Sequence, residues 1–387
     1  MALTVTAIVA FGVGGAGATY ARLQGNIESK DVTSLLGKDR PSAAPAANPN
    51  DPSSGKAVNL LLIGSDGRSG ADGAIGGVVA GARSDTTIVL HISADRKRVE
   101  AVSIPRDSHV QIPACTMTNG KTTKAVGERF NAAFAYGSDT GGDTASAAGC
   151  TIKTVESLTN VRIDGYVVID FAGFIKMIDA LSGVAICIPN TMDAPKAGLH
   201  LNAGYQTLDG TTALGYARAR TGTGVGDGSD TNRIGRQQQL LAATVREIKT
   251  KNLLTNAPQL LKFLDAASSS ITASPDLASI PNMAGLAFSL KDIPSSGVTF
   301  LTVPFSPYTP DPNQVIWTPA AAPIWASIAA DKPVLAAEAA QAIAPVATAT
   351  SSATTPATPS AATPAPAQTK QPGKEAFTPA DVTAVCS

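Results

Sequence analysis

Four short segments concentrate arginine and aspartate where strand ends are expected. GSDGR (64–68) supplies Asp66 and Arg68, ARSDT (82–86) supplies Arg83 and Asp85, and SIPRDS (103–108) supplies Arg106 and Asp107. A fourth segment, YARARTGTGVGDGSDTNRIGRQQQ (216–239), carries Arg218, Arg220, Asp230, Arg233, Arg236 and Gln237. Several guanidinium groups aimed at one place repel one another unless an anion lies between them, and their planar donor pairs match phosphate oxygens. Mg2+ binds through one or two carboxylates plus substrate phosphates, which gives Asp66 and Asp85 a role as hard-cation ligands. The pattern predicts a di- or polyphosphate pocket that uses Mg2+. Any one Arg–Asp pair alone reads as an ordinary surface salt bridge. With only 16% of residues charged, repetition of such pairs at strand ends weakens that bland reading. Ser65, Ser84, Ser103 and Ser108 lie nearby without a histidine base, which disfavours serine nucleophilic catalysis.

These residues need elements to hold them. VNLLLIG (58–64), TTIVLHI (86–92), RVEAVSI (98–104), GYVVID (165–170), VAICIP (184–189) and GVTFLTVPF (297–305) are rich in β-branched residues and read as strands. FAGFIKMIDAL (171–181), RQQQLLAATVREIKTK (236–251) and stretches near 256–266 and 276–290 have helical apolar spacing. The alternation predicts a layered α/β domain with helices on both faces of a sheet and polar chemistry in loops at strand ends. An extended YARAR would turn Arg218 and Arg220 to one face. A helix opening at Asp230 would be capped by it and would stack Arg233 and Gln237 at i,i+4.

Composition narrows the function classes. Lys+Arg and Asp+Glu are 30 each, for a formal net charge of +0, and no long basic run is present, so nucleic acid is excluded as a partner. His91, His109 and His200 lie far apart, and neither a P-loop nor a G-x-S-x-G elbow occurs. Residues 1–21 hold no charge and are expected to be a transmembrane anchor, followed by a linker over 22–56 and the main globular domain over 57–330. Residues 331–376 form a low-complexity Ala/Pro/Thr linker, of which 344–373 are expected to be disordered, and 377–387 a short Cys-containing tail. Cys115, Cys150, Cys187 and Cys386 follow no zinc spacing. Cys115 and Cys150 flank a polar, Gly-rich region that a disulfide can bridge, which leaves Cys187 with Cys386; four cysteines allow three connectivities.

The motifs NLLLIGSDGR, ARSDTTIVLHI, VEAVSIPRDS, FNAAFAYG, LDGTTALGYARAR and GSDTNRIGRQQQ, taken in order over residues 57–250, resemble the LytR-CpsA-Psr (LCP) family of wall glycopolymer ligases. The resemblance implies a layered α/β/α domain with a central mixed sheet, one N-terminal anchor and a disordered C-terminal tail. It implies a phosphotransferase that moves a glycopolymer from a polyprenyl-pyrophosphate carrier onto peptidoglycan and releases polyprenyl phosphate. By the same resemblance Asp66 and Asp85 bind Mg2+, and Arg83, Arg106, Arg218, Arg220 and Arg233 clamp the pyrophosphate and act in catalysis, with Gln237 alongside. Arg68 and Arg236 match less closely, and Asp107 and Asp230 would orient the arginines. The expected setting is the cell membrane, single-pass, with the catalytic domain outside. A lipid-sugar pyrophosphatase and a non-catalytic polyprenyl-phosphate receptor are the competing readings. The apolar stretch 171–188 reads either as a wall for the lipid tail or as ordinary core.

Overall fold

The computed structural model describes residues 24–43, 55–66, 82–253, 256–268, 271–334, 369–381 and 386. Its elements in chain order are β1 (Glu28–Ser29), α1 (Thr33–Leu36), β2 (Val58–Ser65), β3 (Ser84–Ile92), β4 (Val99–Ser103), β5 (His109–Ile112), β6 (Val126–Arg129), α2 (Ala132–Gly141), α3 (Thr144–Thr159), β7 (Gly165–Ile169), α4 (Phe171–Ala180) and β8 (Val184–Ile188). There follow β9 (Met192–Ala194), β10 (Leu199–Leu201), β11 (Gly204–Leu208), α5 (Gly210–Arg218), α6 (Asp230–Thr250), α7 (Ala257–Ser268), β12 (Ile271–Ala273), α8 (Ile280–Ser289), β13 (Val298–Thr302), β14 (Phe305–Pro307), β15 (Val315–Trp317) and α9 (Ala321–Ala329).

A seven-stranded mixed sheet runs in the order β1-β12-β7-β2-β3-β4-β13. β2 is parallel to β7 and antiparallel to β3, and β4 is parallel to β13. The carboxyl ends of β2, β4, β7 and β13 and the start of β3 therefore share one edge, where ligands gather in α/β sheets. Central strands are buried on both faces, which explains continuous apolar runs such as NLLLI in β2. Leu61 and Ile63 enter a core built with α1, α2, α3 and α9, while Leu60 enters another with α6 and α8.

The strand VAICIP does not join this sheet. Among the described residues β8 pairs only with β11, and it opens a second core, because Val184, Ile186 and Ile188 pack with Ile178 of α4, Tyr216 of α5 and Leu240 of α6. The stretch 171–188 thus supplies core residues. α6 lies between two cores, giving Ala242 to one and Leu240 and Ala243 to the other.

Residues 24–43, grouped by composition with the linker, pack as part of the domain. Leu35 and Leu36 are buried, and Arg40 donates to both carboxylate oxygens of Glu156 (2.9 and 2.6 Å) and to the Ile163 carbonyl (2.7 Å). At the other terminus, residues 371–376 lie within the span expected to be linker yet rest on the domain through buried Gly373 and half-buried Pro372 and Ala376, and Phe377 is buried against Phe300. Both predicted disulfides form, Cys115–Cys150 and Cys187–Cys386, with Cα separations of 5.3 and 5.8 Å. The expected anchor over 1–21 and residues 344–368 lie outside the described residues. Among the described residues no helix is long and apolar enough to cross a membrane.

Away from the carboxyl edge, a buried ionic group joins the sheet to the end of α9. Arg98 pairs with Glu100 (3.2 Å) and Asp331 (2.8 Å), and His91 reaches Asp331 (3.1 Å). Burial pushes the Glu100 carboxyl from 4.5 up to about 7, with Arg98 opposing and Asp331 reinforcing the shift. Because the folded value lies above the unfolded one, the stability Glu100 contributes is full below about pH 4.5 and lost as pH rises through 7. Glu100→Gln should flatten the fall in urea-unfolding free energy between pH 4.5 and 8; a variant with the slope of the parent would contradict this assignment.

Candidate functional site

The shared edge of the sheet carries the aspartates and arginines. A bulge at Gly64/Ser65 shifts the β2–β3 register so that Ser65 pairs with Ser84. Asp66 and Asp85 consequently stand on neighbouring strand ends, and the Arg83 amide donates to Asp66 Oδ1 (2.6 Å). Arg106 follows β4 in the turn closed by Ser108 N–H to the Pro105 carbonyl (3.1 Å). Ser229 caps α6 through the Asn232 amide (3.4 Å), so Asp230 opens the helix as its first residue and is not its cap. That start places Asp230 and Arg233 in the first turn, facing the strand ends.

Charge alternates through the cluster. Arg106 is ion-paired and hydrogen-bonded to Asp85, and its Nε lies 3.4 Å from Asp107 and 3.7 Å from Asp230. Arg233, 3% exposed, places Nη2 at 2.6 Å from Asp230 Oδ1 and donates to the Asp85 backbone carbonyl (2.9 Å), while Nη1 is 3.8 Å from Asp85 Oδ1. Arg220 spans Asp107 (3.9 Å) and Asp230 (3.8 Å). Arg129 of β6 reaches Asp107 (3.6 Å) and Asp311 (3.4 Å).

The cluster is charge-balanced but not hydrogen-bond-saturated. Ser84 Oγ, Arg220 Nε, Arg233 Nε and both Asp230 oxygens are buried and have no hydrogen-bond partner. The Arg233–Asp230 contact is close but off the N–H axis. Buried donors left unmet are costly, so their convergence marks a place built for oxygen atoms from outside the chain. The carboxylates are driven apart in proton affinity. Burial alone would raise Asp85, but Arg106 and Arg233, helped by Arg220, hold it below the usual carboxylate range. Burial raises Asp230 above that range despite Arg233 and Arg106, with Asp107 adding to the rise.

The donor set at Asp66 and Asp85 fits Mg2+, since both are hard oxygen ligands on adjacent strand ends. Among the described residues, no group of three or more His, Cys, Asp or Glu side chains is placed to hold a metal. Phosphate oxygens would have to complete the shell.

A sequence profile of the LytR_cpsA_psr family matches residues 19–323. The chain belongs to the LytR-CpsA-Psr family. The cell wall biosynthesis protein LcpA of Corynebacterium glutamicum is 31% identical over 268 residues, covering 64% of this chain and 50% of LcpA. The polyisoprenyl-teichoic acid–peptidoglycan teichoic acid transferase TagU of Oceanobacillus iheyensis is 32% identical over 208 residues, covering 54% of this chain and 57% of TagU. The chain spans about half the length of these curated relatives. Among solved structures, a LytR-Csp2A-Psr enzyme from Actinomyces oris has the same fold, with a TM-score of 0.55 at 18% identity, covering 79% of this chain and 96% of that one.

Within this LytR-CpsA-Psr domain, the structure brings Asp85, Arg106, Asp107, Arg220, Asp230 and Arg233 together. Arg83 is exposed beside Asp66. Arg68 lies outside the described residues. YARAR is not extended: α5 runs through Arg218 and stops at Ala219, so Arg218 and Arg220 take different directions. The Arg218 guanidinium lies 4.5 Å over the Phe171 ring. Gln237 donates to the Ala217 carbonyl (3.3 Å). Arg236 is buried and donates to the carbonyls of Tyr216 (3.2 Å), Val225 (2.7 Å) and Ala219, bracing the loop that carries Arg220. Arg129 was not singled out by the sequence, where it stands alone without a neighbouring arginine or aspartate; only its place at the end of a short strand hints at the edge.

Proposed function

We propose that the chain is a phosphotransferase that moves a glycopolymer from a polyprenyl-pyrophosphate carrier onto peptidoglycan. The reading is carried by the convergence of unpartnered guanidinium nitrogens of Arg220 and Arg233 with Arg106 at a sheet edge. Phosphoryl transfer needs positioning and charge neutralisation more than covalent catalysis, and this cluster supplies both. An acceptor hydroxyl oxygen forms a bond to the sugar-proximal phosphorus. The bond from that phosphorus to the bridging oxygen breaks, and its electron pair leaves with polyprenyl phosphate. Asp230, whose proton affinity burial raises, takes the hydroxyl proton, while Asp85 stays charged between Arg106 and Arg233. Arg106, Arg220 and Arg233 bind the phosphate oxygens as charge builds on them. Mg2+, held by Asp66 and Asp85, supplies further neutralisation of those oxygens when bound.

The proposed setting is a single-pass membrane protein with this domain outside the cell. It draws support from the uncharged run over residues 1–20 and from two disulfides, which persist in oxidising compartments. The test supplies the purified chain with polyprenyl-pyrophosphate oligosaccharide, peptidoglycan and Mg2+. A sugar–phosphate–peptidoglycan product that disappears with EDTA is expected. Free sugar phosphate formed without regard to acceptor would replace the ligase with a pyrophosphatase. Tight binding of the lipid with no turnover would leave a receptor.

A further inference from the structure

The C-terminal segment touches the helix that carries the site. After residues 335–368 the chain returns, and the Gly373 amide donates to Gln238 Oε1 (2.9 Å). Gln238 is fully buried, and its Nε2 donates to Ser103 Oγ (3.0 Å) and Thr302 Oγ1 (3.1 Å). One amide group therefore joins the returning segment, the end of β4 ahead of Arg106, the end of β13, and α6 just beyond Arg233. The approach is backbone to backbone. A Cβ on Gly235 would stand 2.4 Å from the Pro372 carbonyl oxygen, and one on Gly373, at φ +86°, would stand 2.5 Å from that of Thr231. Farther on, Phe377 exchanges both backbone hydrogen bonds with Phe300 (2.8 and 3.0 Å), stacks on its ring, and lengthens the sheet beyond β13. Arg246 of α6 donates to the Pro379 carbonyl (3.3 Å), and Cys386 is bonded to Cys187.

The first turn of α6 brings Asp230 into ion pairs with Arg106, Arg220 and Arg233, so the placement of this turn sets the geometry of the whole cluster. We propose that residues 369–381 are an intramolecular strap that sets the position of α6, and that Gln238 is the positioning residue through which the strap acts on Asp230 and Arg233. The effect on turnover rests on the phosphotransferase reading, so the decisive measurement is one that does not.

Amide hydrogen exchange is compared between the full chain and two full-length variants, Phe377→Asp, which loosens the strap without changing any residue of α6, and Gln238→Leu. Exchange across Asp230–Gly235 should quicken by about 10-fold or more while β2 and β3 keep their protection. Turnover, where the parent shows it, should fall by about 10²-fold in kcat with little change in KM, as expected for displaced transition-state groups. Unchanged exchange in the first turn of α6, or an equal rise throughout the sheet, would overturn the proposal and leave the segment a simple stabiliser. A parent without turnover would instead overturn the phosphotransferase reading, and the exchange result would still decide the role of the strap.

Discussion

Arg233→Ala should lower kcat/KM for glycopolymer transfer by about 10³-fold or more, the scale set by deleting a phosphate-clamping arginine. Arg233 is 3% exposed, touches both Asp230 and the Asp85 backbone, and keeps an unpartnered Nε in the site. Its loss removes a donor from the phosphate and leaves Asp230 buried with weaker compensation, so the base is altered together with the clamp. Breaking a buried pair by removing one partner also costs about 3–5 kcal/mol, so activity must be measured on protein whose circular dichroism matches the parent. Arg233→Lys keeps the charge but not the planar fork, and should recover only a small part of the loss. Transfer within threefold of the parent in Arg233→Ala would show that the clamp lies elsewhere.

Arg236→Ala should instead act mainly on the fold. Arg236 is buried one turn from Arg233, yet its donors go to the backbone carbonyls of Tyr216, Ala219 and Val225. Removing it leaves three acceptors in search of partners at about 1–3 kcal/mol each, so a loss of roughly 3–9 kcal/mol in urea-unfolding free energy is expected. Arg220 sits between two of those carbonyls, so what remains folded should also bind the pyrophosphate lipid more weakly. A loss under about 1 kcal/mol would mean that water replaces the guanidinium without cost.

Much of the site was readable because its residues come in local groups. Asp85 and Arg106 adjoin β-rich runs, and Asp230 and Arg233 adjoin the start of a helix, so period and punctuation alone put them at element ends. What eluded the sequence depends on direction or on distance along the chain. The directions of Arg218 and Arg220 hinge on α5 ending at Ala219. Arg236 looks like another phosphate ligand until its carbonyl partners are seen. The Phe300–Phe377 pairing and the Gln238–Gly373 bond join residues with no shared local signal, and their neighbourhood resembles low-complexity tail. VAICIP has the composition of a central strand, but its partner is the hairpin strand β11, a choice made by packing.

The return of the chain at Thr369 changes what the Pro/Thr/Ala-rich run can reach. Residues 335–368 leave from Val334, which is buried, and are followed by a segment held to the domain at Gly373 and Phe377 and by the bond between Cys386 and Cys187. A run pinned at both ends is a closed arc: even fully extended, its midpoint can stand only roughly 60 Å from the domain, about half the reach of a free tail of that length. A single cut within the arc does not shed the C-terminal piece, because the disulfide keeps the two fragments as one covalent molecule until a thiol reductant separates them. A protease can therefore nick this protein without releasing the piece from it.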